Sequence, residues 1–115
     1  MKGKRPWGWF DVVETGETFK VKSISVLPGK SLSLQRHMHR SEHWVVVEGT
    51  ALVEVEGKSE FVNVNEGSYV PICAKHRLSN PGKIPLKIIE VQCGSYLEED
   101  DIERFDDDYG RHETI

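Results

Sequence analysis

Turn signals cut this chain into short apolar runs at intervals of about ten residues, a rhythm that leaves little room for anything but antiparallel β-structure. Runs rich in Val, Ile, Leu and Phe cover residues 19–27, 31–35, 43–47, 51–55, 60–64, 68–71, 77–79 and 86–92. Pro28-Gly29, Glu48-Gly49, Glu56-Gly57, Asn65-Glu66-Gly67 and Asn80-Pro81-Gly82 lie between them. Val53, Val55, Phe61, Val62 and Val64 alternate with Glu54, Glu56, Lys58, Glu60 and Asn63, the pattern of strands with one buried face. Helical spacing enters only after Tyr96, where Leu97, Ile102 and Phe105 fall among acids and Asp100 or Asp101 is placed to cap a short helix. The expectation is one all-β domain over residues 1–115, a sandwich or barrel with a short helical, acidic C-terminal segment.

Charge narrows the partners. The 115 residues carry 15 Lys and Arg against 19 Asp and Glu, yet residues 98–108 alone hold a balance of −7 and the rest of the chain is +3. An acidic tail repels phosphate backbones, which argues against nucleic acid. The longest apolar runs, such as residues 44–47, are too short to span a bilayer. The basic N-terminus lacks the apolar stretch of a secretory leader, so a cytoplasmic protein is expected. Cys73 and Cys93 are expected to be small buried hydrophobes, and the acidic run a solvated face.

A small barrel fills its interior with side chains or holds one small ligand, so inward polar residues on its strands carry meaning. Four of the five histidines stand at His37, His39, His43 and His76, with Glu42 just before His43. On an extended strand His37 and His39 share a face and can approach one cation together. A turn at Arg40-Ser41 brings Glu42 or His43 back on the next strand, and His76 can add a ligand from across the barrel. Three imidazoles and a carboxylate leave positions open for water or substrate, the pattern of a catalytic metal site.

These residues resemble the cupin motifs. Gly29, His37-x-His39, Glu42 and Gly49 resemble the first, in which two His and a Glu bind metal. Pro71, His76 and Asn80 resemble the second, which supplies the last His. The match departs from the pattern in three places. Seven residues rather than five separate Gly29 from His37, two rather than three or four separate His39 from the Glu, and Cys73 stands where the second motif has Gly. Counting back from Gly49 favours Glu42 as the third ligand and counting forward from His39 favours His43; strand parity after the loop prefers Glu42.

The flanks narrow the resemblance. Arg5-Pro6-Trp7-Gly8, Leu32-Ser33-Leu34-Gln35, His37-x-His39-Arg40-x-Glu42-His43-Trp44, Gly49-Thr50-Ala51, Asn80-Pro81-Gly82, Ile89-Glu90-Val91-Gln92 and Asp108-Tyr109-Gly110-Arg111 are similar to the type II mannose-6-phosphate isomerase domain over residues 5–111. That domain is usually the C-terminal part of a bifunctional isomerase and mannose-1-phosphate guanylyltransferase. The resemblance implies a cupin jelly-roll barrel and a metal-dependent isomerase of mannose 6-phosphate and fructose 6-phosphate. No Gly-rich nucleotide-binding segment precedes the match, so a stand-alone isomerase is expected. The competing expectation is a non-catalytic sugar-binding cupin, or an accessory partner of a separate guanylyltransferase.

Aldose–ketose isomerisation needs a base near the carbon, an electrophile at the developing oxyanion and a grip on the phosphate. A divalent metal on His37, His39, Glu42 and His76 supplies the electrophile; zinc is the first expectation, and iron, manganese, cobalt or nickel suit the same ligands. Glu90, a carboxylate in the apolar strand around residues 88–91, is the first choice of base, with His43 the alternative. Gln35 shares the face of His37 and can bind a sugar hydroxyl or metal. Arg40, Lys75 and Arg111 are the phosphate candidates. Uncovered sheet edges predict a homodimer.

Overall fold

The computed structural model describes residues 2–106, with the side chain of Asp106 outside the description. Eleven strands follow in chain order: β1 (Lys2–Arg5), β2 (Gly8–Thr15), β3 (Phe19–Val26), β4 (Leu34–Arg36), β5 (Arg40–Glu48), β6 (Ala51–Val55), β7 (Lys58–Val62), β8 (Gly67–Val70), β9 (His76–Ser79), β10 (Leu86–Gly94) and β11 (Glu103–Asp106). They form two sheets, β1-β2-β3-β10-β5-β8 and β11-β4-β9-β6-β7. The paired strands run antiparallel throughout. The two sheets face each other around one interior, the jelly-roll arrangement that the resemblance implies.

The apolar runs of the sequence become strands with ends moved by a few residues. The turn between β6 and β7 holds Glu56 at φ 49° and Gly57 at φ 79°, the paired positive φ of a two-residue hairpin whose twist matches its strands. The β1–β2 hairpin lacks a clear apolar rhythm and was not expected from sequence. It pairs Gly3 with Phe10, and β2 then continues the sheet along β3.

The predicted C-terminal helix is absent among the described residues. Within them the segment ends in β11, which pairs with β4. Ile102 and Arg104 line the interior, while Glu103 sits 2.6 Å from the Arg36 guanidinium. A period of two fits this segment because it completes a sheet edge. The acids before it are only partly solvated. Glu98 and Asp100 are exposed, but Asp101 is buried and Glu99 lies 2.8 Å from Lys22 Nζ. Asp101 Oδ1 and Oδ2 accept from the amides of Met38 and His39 at 3.0 and 2.9 Å. Residues 95–106 thus form a strap tied down by its carboxylates.

Inward side chains change character along the strands. On β10 the buried positions run Leu86, Ile88, Glu90, Gln92, and on β5 they run backwards as Val46, Trp44, Glu42, Arg40. The register places Glu90 opposite both Trp44 and Lys22, and Gln92 opposite Glu42. One end of the barrel is therefore an apolar core built from residues such as Val26, Val46, Val53, Leu78, Leu86 and Ile88, and the other end is a buried polar chamber. Cys93 follows Ile89 and Val91 on the outer face of β10 and Cys73 lies in a turn, so both cysteines are exposed rather than buried.

Candidate metal centre

The polar end holds a cavity with an empty volume of about 800 Å³, counting solvent at its entrance. His37, Glu42 and His76 converge in it, all buried, with one potential ligand atom from each within 4.8 Å of the others. Glu42 Oε2 is 3.3 Å from His37 Nε2, and the two imidazole rings are 5.0 Å apart.

Their orientation is set from behind. His37 Nδ1 donates to the carbonyl of Asp101 at 2.7 Å and His76 Nδ1 to that of Ala74 at 2.9 Å. A carbonyl only accepts, so each Nδ1 carries the hydrogen and each Nε2 presents a lone pair, the arrangement that metal-binding histidines use. Burial, then the charge of Arg40 and of His76, pushes His37 down to about 3, and burial lowers His76 as well. Both rings are neutral donors at physiological pH. Two neutral imidazole nitrogens and a carboxylate oxygen suit a divalent cation with open positions. Arg40 Nε donates to Glu42 Oε2 at 2.9 Å and its Nη2 to His37 Nε2 at 3.3 Å, so the guanidinium would have to give up these lone pairs for the three residues to hold a cation.

Glu90 stands beside this cluster, 5% exposed. Trp44 Nε1 donates to Glu42 Oε1 at 2.9 Å and to Glu90 Oε2 at 3.1 Å, and Gln92 Nε2 donates to Glu90 Oε1 at 2.7 Å. Burial, reinforced by the charge of Glu42, pushes Glu90 up to about 8. The inward reading of Glu90 is therefore borne out by geometry. Arg40 Nη1 and Gln92 Oε1 are buried in the chamber with no hydrogen-bond partner among the described residues. Such orphans are costly in an interior and leave a donor and an acceptor for a ligand.

The structure corrects the expected ligand set. The His39 side chain is 56% exposed, with Nδ1 3.2 Å from Asp101 Oδ1, and does not join His37, Glu42 and His76. Residues 37–39 bend at the mouth before β5 begins, so strict strand parity does not carry from one histidine to the other. Gln35 lines the cavity instead, opposite His76 in the β4–β9 pairing. Both first-motif departures vanish in the frame Gly29-x5-Gln35-x-His37-x4-Glu42-x6-Gly49, with Gln35 in the place of the first His. Cys73, in the place of the second motif's Gly, has φ 67°, the left-handed conformation that favours glycine.

Of the other candidates, Arg40 lines the chamber. His43 faces outward, exposed, its ring 4.7 Å from that of Tyr69, which removes it as ligand or base. Lys75 is exposed, its ammonium 4.3 Å from the Phe105 ring centroid, and does not line the cavity. Arg111 lies outside the described residues. Lys22, Gln92 and Arg104 line the cavity without having been expected there. The β3–β10–β5 register was the signal for the first two, since it puts Lys22 and Gln92 on the parity of Glu90.

Residues 1–107 match the family described as Mannose-6-phosphate isomerase C-terminal. The chain is 60% identical over 110 residues to the alginate biosynthesis protein AlgA of Pseudomonas putida, covering 96% of this chain and 23% of that protein. It is 57% identical over 107 residues to the mannose-1-phosphate guanylyltransferase ManC of Salmonella typhimurium, covering 93% and 22%. The chain thus spans less than a quarter of the length of these curated relatives. Among solved structures it resembles the capsular polysaccharide assembling protein CapF of Staphylococcus aureus, with TM-score 0.81 and 17% identity over 92% of this chain and 31% of that one. It also resembles the cupin domain of Schizosaccharomyces pombe Cnp3, with TM-score 0.73 and 15% identity over 75% and 64%. The barrel is a cupin, and the chain belongs to the mannose-6-phosphate isomerase C-terminal domain family.

Proposed function

We propose that the chain is a divalent-metal-dependent aldose–ketose isomerase that interconverts mannose 6-phosphate and fructose 6-phosphate. The observation that carries this reading is the juxtaposition, in a member of this family, of a buried two-histidine, one-carboxylate cluster with a second buried carboxylate held nearly neutral. A cation on His37, Glu42 and His76, with zinc the first choice and iron, manganese, cobalt or nickel compatible, supplies the electrophile that polarises the sugar carbonyl.

The chain's own residues supply the rest. In its ionised form, which a cation on His37, Glu42 and His76 would favour, Glu90 takes the proton from C2 of mannose 6-phosphate. The C2–H electron pair forms the C1–C2 double bond of the enediolate as the carbonyl pair moves onto O1, and the carboxyl then returns the proton to C1 while the O2 hydroxyl proton passes to O1. A carboxyl pushed up to about 8 has the proton affinity for both halves of that transfer. Trp44 and Gln92 hold its two oxygens and fix its aim. Arg40 Nη1 offers a charged donor to the substrate, and Gln35 a hydroxyl contact or a further ligand. The apolar half of the barrel closes the floor against bulk water. We also propose a homodimer and a cytoplasmic location.

A coupled assay for fructose 6-phosphate on the purified chain tests this reading. Turnover that disappears on chelation and returns with added zinc or cobalt is the expected result. Absence of turnover with every divalent metal refutes it. The accessory reading draws on the small share of the curated relatives that the chain covers. Co-purification of an inert chain with a guanylyltransferase would favour it.

A further inference from the structure

We propose that Arg104 is the anion-binding residue of the cavity and receives the phosphate of the sugar phosphate, at the opposite end of one row of inward side chains from the metal ligands. Arg104 on β11 pairs with Gln35 on β4, and Gln35 pairs with His76 on β9. Side chains directly opposite in antiparallel strands leave the same face of a sheet. Arg104, Gln35 and His76 therefore form a row across the interior, and all three line the cavity. Strands lie ~4.8 Å apart, so two spacings put the Arg104 backbone roughly 10 Å from that of His76. A hexose 6-phosphate laid along the row has its C1–C2 end at the metal ligands, its hydroxyls at Gln35 and its phosphate at Arg104.

Charge points to the same residue. Of the other cations that line the cavity, Lys22 is paired with Glu99 at 2.8 Å and Arg40 with Glu42 at 2.9 Å, while Arg5 is exposed and donates its Nη1 to the Lys4 carbonyl at 2.8 Å. Arg36, beside Arg104's neighbour, is held by Glu103 on the other face of the strand. Arg104 has no such carboxylate among the described residues, and its Nε is buried without a hydrogen-bond partner. An uncompensated guanidinium with a vacant donor, at the sheet edge that forms the mouth, is suited to bidentate capture of a phosphate monoester.

The inference rests on the proposed function for the ligand's sugar end, and its test is a binding measurement that needs no turnover. Mannose 6-phosphate, inorganic phosphate and mannose are titrated calorimetrically into the zinc-loaded chain and its Arg104→Gln and Arg104→Lys variants, with thermal melts run alongside. Loss of a charge-assisted contact predicts a Kd for mannose 6-phosphate raised roughly 10- to 100-fold in Arg104→Gln. Arg104→Lys keeps the charge but not the fork, so a several-fold rise is expected even if the Gln variant folds poorly. Inorganic phosphate competes only with the wild type, and mannose binds all three alike. Equal affinity of wild type and both variants for mannose 6-phosphate overturns the inference, as does a wild type that binds neither phosphate nor mannose 6-phosphate. A wild type that binds in an Arg104-dependent way without turnover keeps this inference and removes the isomerase reading. Turnover with Arg104-independent binding does the reverse.

Discussion

At the scale of single residues, the centre is defined by which side chains burial holds neutral. Glu90 in the folded, metal-free chain keeps its proton up to about 8 against an ordinary 4.5. Between those values only the folded state binds that proton, so stability falls as pH rises through the window. His37 works in the opposite sense. Held at about 3 against 6.5, it leaves the proton to the unfolded chain, and stability falls as pH drops through that range. Melting temperatures of the metal-free chain from pH 5 to 8.5 are predicted to decline toward the alkaline end, and Glu90→Gln is predicted to flatten that decline. An unchanged slope in the variant would place the titration elsewhere. Metal binding discriminates the corrected ligand set. His37→Ala, His76→Ala and Glu42→Gln are predicted to lose stoichiometric zinc in equilibrium dialysis with elemental analysis, while His39→Ala retains it. Loss in His39→Ala equal to the others would contradict the geometry. Glu42, His76 and Glu90 were legible in sequence, because motif spacing and one charge in an apolar strand both report an inward side chain. His39 was misread because the chain bends between it and His37, and pairwise spacing on an ideal strand does not register a bend.

At the scale of elements, the strap over residues 95–106 decides how firmly the centre is held. Asp101 accepts both amides at the His37–His39 bend, and its own carbonyl fixes His37 Nδ1. Gly94 begins the strap beneath the carbonyl of His39, where any Cβ would collide with that oxygen. Asp101→Ala leaves two amides without their partner, and the predicted loss is about 1–3 kcal/mol of stability with faster amide exchange across the strap. Amide exchange confined to the rest of the barrel would show that the strap is held by other means. The eight apolar runs between residues 19 and 92 were readable as strands because their rhythm is local. The strap was not, since a run of acids looks like a solvated helix end until Lys22, Arg36 and two backbone amides are brought to it from distant strands. Nothing in residues 98–106 by themselves names those partners.

At the scale of the whole molecule, the division into a −7 segment and a +3 body becomes a spatial arrangement. Part of the acidity is taken up by ion pairs with Lys22 and Arg36 and by the backbone amides that Asp101 accepts, so net charge says little about how an anion is received in the cavity. Edge strands β1, β8 and β7, together with the exposed Val45, Val47 and Tyr69 near β8, favour pairing with a second copy. Light scattering is predicted to give twice the 13.1 kDa chain mass, and a monomer at working concentration would refute the dimer. The central claim is that the buried cluster moves a proton between two carbons of a sugar phosphate. Its most direct test follows mannose 6-phosphate in D2O by NMR with the purified, zinc- or cobalt-loaded chain. The account predicts fructose 6-phosphate carrying deuterium at C1, formed by the wild type and at least 100-fold more slowly by Glu90→Gln, on the scale of a lost general base. Absence of product with either metal, or product formed equally fast by Glu90→Gln, would contradict it.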